Sequence, residues 1–67
     1  MPKKIRELKS ILAAAGFTQR PGKGSHTVWV HPRVPEAVVL AGKDGNDARR
    51  YQERQVEGAI KQAEGVS

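Results

Sequence analysis

The stretch FTQRPGKGSHTVWVHP, residues 17–32, decides how this chain is read. Phe17-Thr-Gln-Arg20 is short and half apolar, while His26-Thr-Val-Trp-Val-His31 is rich in β-branched and aromatic residues and stops at Pro32. Two such runs around a Pro/Gly/Ser loop predict a β-hairpin with a five-residue connection, Pro21 to Ser25.

Working outward, Ile5, Leu8, Leu12 and Ala15 recur at spacings of three and four, with Ile11 flanking the stripe. Lys4, Arg6, Glu7, Lys9 and Ser10 fall largely off it. The spacing predicts an amphipathic helix from about Lys3 to Ala15, stopped by Gly16. After the hairpin, Pro32 and Pro35 mark a turn, and Ala37-Val-Val-Leu-Ala41 reads as a third strand. Its unbroken apolar character points to a middle or well-covered strand. Gly42 to Asn46 is a turn by composition, and Asn46 or Asp47 is placed to cap a second helix reaching about Glu64, with Gly65 closing it. Val56, Ala59, Ile60 and Ala63 form its inner stripe. Gly58 weakens that helix by about 1 kcal/mol relative to alanine, so an irregular middle is expected, and Tyr51 suits a separate first turn.

The order helix, three strands, helix defines an α+β fold over one domain, residues 1–67. Short sequential connections imply a three-stranded antiparallel sheet, and the two apolar stripes place both helices on one of its faces. This α-β-β-β-α layout is that of double-stranded-RNA-binding domains, although fold alone does not settle function.

Sixty-seven residues make one small domain, which buries only about 60% of the surface its unfolded chain exposes. Without cysteine there is no disulfide and no thiolate metal site, and two histidines alone argue against structural zinc. No metal and no cofactor are expected. No apolar run is longer than that from Ile11 to Ala15, which is too short to cross a bilayer, and the basic N-terminus leads into an amphipathic segment, unlike a signal peptide. No membrane partner is expected, and the cytoplasm is the default location.

The net charge is +5, and its distribution says more than its total. Through His31, Lys3, Lys4, Arg6, Lys9, Arg20 and Lys23 stand against Glu7 alone; from Pro32 onward six basic residues meet six acidic ones. All the excess positive charge therefore lies in the half that carries the hairpin. Such an imbalance favours a polyanion or an acidic protein partner. The plain alternative is that these lysines only solvate helix faces.

Within the loop, glycines at 22 and 24 free the backbone for positive φ, so that consecutive N–H groups can surround an anion. Lys23 adds a point charge and Ser25 a hydroxyl, both suited to phosphate oxygens. The alternative is ordinary turn chemistry with a solvated lysine at its tip. The spacing of a nucleotide-binding P-loop is absent, and the next segment reads as strand rather than helix. His26 stands at the mouth of the loop, where an imidazole can move a proton to or from a ribose hydroxyl held nearby. It is not paired with His31: five residues of strand separate them by about 16 Å, and the odd spacing turns them to opposite faces. His31, next to Pro32, reads as a turn residue. Trp29 shares a face with Thr27 and His31, opposite Val28 and Val30. With the valines inward Trp29 is a base-stacking platform; otherwise it fills core, the reading that a chain with three aromatics favours.

Helix, Gly16-Phe17, a short strand, Lys23-Gly24-Ser25-His26, an aromatic at Trp29 and then His31-Pro32 is a succession that resembles the HicA toxins, bacterial and archaeal mRNA interferases whose fold is similar to double-stranded-RNA-binding domains. Gly42-Lys-Asp-Gly-Asn-Asp-Ala48 followed by Tyr51-Gln-Glu53 also looks like the tail of a subgroup of that family. Two departures are visible. Many members carry a second histidine directly after the catalytic one, where this chain has Thr27. Many also carry His-Pro-Gly-Lys after the third strand, where this chain has Ala41-Gly42-Lys43.

The resemblance implies a toxin of a type II toxin–antitoxin system that cleaves mRNA without metal. It maps the catalytic general acid/base onto His26, with Gly22, Lys23, Gly24, Ser25, Lys3, Lys4 and Arg20 as candidates to hold RNA phosphates. It also implies a HicB-like antitoxin that covers the histidine, and no DNA contact by this chain alone. A non-catalytic RNA-binding module would use the same basic face without needing His26, and a protein-interaction domain would need neither.

Overall fold

The computed structural model describes residues 2–65. Helix α1 spans Ile5–Ala14, strands β1, β2 and β3 span Thr18–Pro21, Thr27–His31 and Val34–Leu40, and helix α2 spans Arg50–Glu64. The strands form one antiparallel sheet in the order β1-β2-β3, so the expected helix–meander–helix layout is what the chain adopts.

Register sorts the residues of the sheet into two faces, because opposed residues project to the same side. Trp29 opposes Gln19 and Val38, and Thr27 opposes Leu40. This face carries the helices: Trp29, Val38 and Leu40 are buried together with Ile5, Leu8 and Leu12 of α1 and Val56, Ala59 and Ala63 of α2. Val28 opposes Arg20 and Val39 on the other face, where Val39 is 45% exposed. Trp29 is therefore core and the valines face outward.

Several expectations need correction. The third strand is not the middle one; it is an edge, and β2 is the centre. Val38 and Leu40 point inward while Ala37 and Val39 point outward, so alternation is present but hidden by apolar residues on both sides. The strand begins at Val34 and includes Pro35, whose missing N–H is tolerated at an edge.

The second helix starts at Arg50, with Arg49 and not Asn46 or Asp47 as its N-cap. The residues before it are engaged with α1 instead. The Ile5 N–H donates to the Asn46 carbonyl at 2.9 Å, the Arg6 N–H to the Asp44 carbonyl at 3.2 Å, and the Ala48 N–H to the Lys3 carbonyl at 2.6 Å. Two of the amides that open α1 thus find partners some forty residues away, and a segment held in that extended pairing cannot also coil.

Helix α2 is also continuous through Gly58, which faces open space, and Tyr51 belongs to its first turn. Propensity is a weak force here beside the buried stripe and the left-handed Gly65 that ends the helix at φ 77°. Gln52 is the one buried polar residue among those described. Its amide nitrogen donates to the Ala41 carbonyl at 3.0 Å, and its amide oxygen accepts the Arg49 N–H at 2.8 Å, clamping the end of β3 to the start of α2.

Candidate active site

Phe17 is buried, but every residue from Thr18 to His26 is exposed. The β1–β2 hairpin therefore reaches beyond the helices, and the connection between its strands, Gly22 to His26, has no helix over it. Thr27 pairs with both Pro21 and Leu40, which brings this tip to the same end of the sheet as the exit from β3.

Inside the connection one carbonyl does most of the organising. The Lys23 oxygen accepts the His26 backbone N–H at 3.0 Å and lies 3.0 Å from His26 Nδ1. The two glycines make this turn possible by different means. Gly24 has φ +59°, a conformation that L side chains rarely adopt. Gly22 does not have positive φ; a Cβ there would stand 2.9 Å from the His26 carbonyl oxygen, so its hydrogen permits a close backbone approach. The expectation of positive φ at both positions is thus corrected at Gly22.

The candidate phosphate ligands fall into two groups. Gly22, Lys23, Gly24 and Ser25 surround His26 in the connection, and Arg20 lies two residues before it on the uncovered face of the sheet, opposite Val28. Lys23 and Arg20 are exposed and have no ion-pair partner among the described residues. Lys3 and Lys4 belong to the helix layer. Lys3 lines the groove between α1 and α2, beside Ile11, Glu53 and Ile60, and the Lys4 ammonium is paired with Asp47. Lys9 is likewise paired with Asp44. Two of the six basic residues that weight the first half of the sequence are therefore answered by acids from the second.

His31 lies at the opposite end of β2 from His26. It is half-buried, its ring centroid is 5.0 Å from that of Phe17 at an interplanar angle of 48°, and its Nδ1 accepts the Arg33 N–H at 3.0 Å. It packs and caps a turn, apart from the loop. Thr27 accepts the Trp29 indole N–H at 3.0 Å through its hydroxyl. The residue directly after His26 is thereby tied to the core.

No three His, Asp or Glu side chains among the described residues come together as a metal site requires. No described helix is long and apolar enough to cross a membrane. What the sequence did not announce was the Lys23 carbonyl, since a main-chain oxygen leaves no side-chain signature. Its only trace was the pair of glycines around it.

None of the curated proteins and none of the solved structures matches the chain. One family model does, described as the HicA toxin of bacterial toxin–antitoxin, and it covers residues 5–64, from the first residue of α1 to the last of α2. With the Gly-Ser-His element at the tip of an open hairpin and nearly the whole chain matched, this protein belongs to the HicA toxin family.

Proposed function

We propose that this toxin is a metal-independent endoribonuclease that acts on mRNA with His26 as its general acid/base. The observation that carries the reading is the exposure of His26, within the family match, on a hairpin that the helices leave uncovered. His31, the other histidine, is half-buried and already engaged.

In the reaction, His26 takes the proton of a ribose 2′-hydroxyl as its oxygen attacks the neighbouring phosphorus. The bond from phosphorus to the 5′ oxygen breaks, and that oxygen is protonated by the imidazolium or by water. The products are a 2′,3′-cyclic phosphate and a 5′-hydroxyl. Lys23, Ser25, the loop amides and Arg20 hold the phosphate and offset charge as it builds on the oxygens. Lys3 extends the basic surface.

The natural partner is a HicB-like antitoxin that covers the hairpin and shuts His26 off from RNA in the cytoplasm. A domain of this size gains stability from such a partner by mass action.

Induced expression of the wild type against His26→Ala is the test. Wild type arrests growth and releases RNA fragments with cyclic ends; His26→Ala does neither. Equal arrest by both, with RNA bound but uncut, would instead identify a binding module. Binding to RNA falls steeply with salt, as phosphate neutralisation requires.

A further inference from the structure

A carbonyl oxygen accepts hydrogen bonds and never donates one. At 3.0 Å from the Lys23 oxygen, Nδ1 of the neutral His26 ring must therefore carry the proton. Nε2 is then the nitrogen with the lone pair, and it has no hydrogen-bond partner among the described residues. A free imidazole prefers the other arrangement, with hydrogen on Nε2, so the loop works against the intrinsic preference.

We propose that the Lys23 carbonyl fixes the His26 ring as the Nδ1–H tautomer and leaves Nε2 as the atom that takes and returns the substrate proton. The second half of this statement rests on the nuclease reading above; the first does not. The Lys23 main chain is a positioning element here, comparable in logic to the carboxylate that orients the histidine of a serine protease. The same oxygen holds the His26 N–H, so ring and backbone are referred to one point. Gly22 lets the chain pass against the His26 carbonyl, Gly24 supplies the left-handed residue of the turn, and the Thr27 hydroxyl, held by Trp29, fixes the next residue along. The glycines thus serve the histidine first and any phosphate second.

His31 provides an internal contrast. Its Nδ1 accepts the Arg33 backbone N–H, so that nitrogen bears the lone pair and Nε2 the hydrogen. The two histidines of this chain should therefore be opposite tautomers.

The test is heteronuclear NMR of the ring nitrogens in the full-length protein, at a pH where both rings are neutral, with the His26 signals assigned by their loss in His26→Ala. The expected spectrum shows a protonated-type Nδ1 and an unprotonated-type Nε2 for His26, and the reverse for His31. A His26 ring with hydrogen on Nε2, or with the averaged shifts of a free imidazole, overturns the proposal.

Two loop variants test the cause. Gly24→Val cannot hold positive φ and should return His26 to averaged shifts, with kcat for RNA cleavage down by about tenfold. Gly24→Asn, which tolerates that conformation, should keep the wild-type spectrum. If Gly24→Val unfolds, as seen by circular dichroism, the wild-type and Gly24→Asn spectra still decide the tautomer. Retention of the Nδ1–H pattern in a folded Gly24→Val whose Lys23 carbonyl has turned away from the ring overturns the carbonyl as its cause. Failure of the nuclease reading looks different. The expected spectrum together with uncut RNA would leave the tautomer standing and remove the role given to Nε2, whereas cut RNA with hydrogen on Nε2 would remove this proposal alone.

Discussion

The same side chain stands just before β2 and at its far end, in opposite circumstances. At one end His26 is exposed on the tip of a hairpin that no helix covers; at the other His31 is half-buried against Phe17. The intervening Trp29 is in the core, 4% exposed, and five residues of extended chain keep the two imidazoles apart. The difference lies in the surroundings. One histidine is steadied by a backbone oxygen of its own exposed turn, the other by the backbone N–H of the turn that leaves the strand. A residue type is a chemical capacity, and the fold decides whether it is offered to a ligand or used up in packing.

The largest way to break this contrast is to remove what separates the two ends. Trp29→Ala should lower stability by about 3–5 kcal/mol, through the missing ring and the cavity it leaves, and in a domain this small that is most of the total. Chemical denaturation followed by circular dichroism would show it, and a midpoint within error of wild type would contradict the placement of Trp29 in the core. Next, His26→Ala should lower RNA cleavage by about 10²–10⁴-fold while stability stays within about 0.5 kcal/mol. His31→Ala should do the reverse. Its expected cost is about 1 kcal/mol of stability, from removing the ring packed on Phe17 and the acceptor for the Arg33 N–H, with the cleavage rate of the folded fraction unchanged. The smallest effect belongs to Lys4→Ala, whose pair with Asp47 is solvent-exposed on both sides and should contribute no more than about 1 kcal/mol, fading at high salt.

The sequence was most informative where its periodicity was clean. Ile5, Leu8 and Leu12 defined α1, and the alternation through Trp29 defined β2 along with the reason His31 cannot assist His26. It misled where chemistry on the outward face imitated the inward one. Ala37 and Val39 made an edge strand look buried on both sides. It was mute where partners are remote in the chain. Nothing near Asn46 or Asp47 says that their backbone or side chains will be taken by the opening of α1, which leaves the N-cap of α2 to Arg49. For the site itself, His26 and its glycines were legible as a cluster. The division of labour between Gly22 and Gly24 was not, because it depends on where the His26 carbonyl comes to rest.

The pairing between α1 and the segment before α2 has a consequence for how the protein is made. The hairpin is local, since Lys23 and His26 meet within four residues, and it can close while the chain is still being synthesised. Helix α1 emerges first, yet its opening amides find their carbonyls only when Asp44 and Asn46 have appeared, and its apolar stripe is covered only when α2 follows. A nascent chain that has reached β3 thus has the His26 loop but no platform to hold it. The domain becomes a folded object only once α2 has been made, when an antitoxin can first bind it as such.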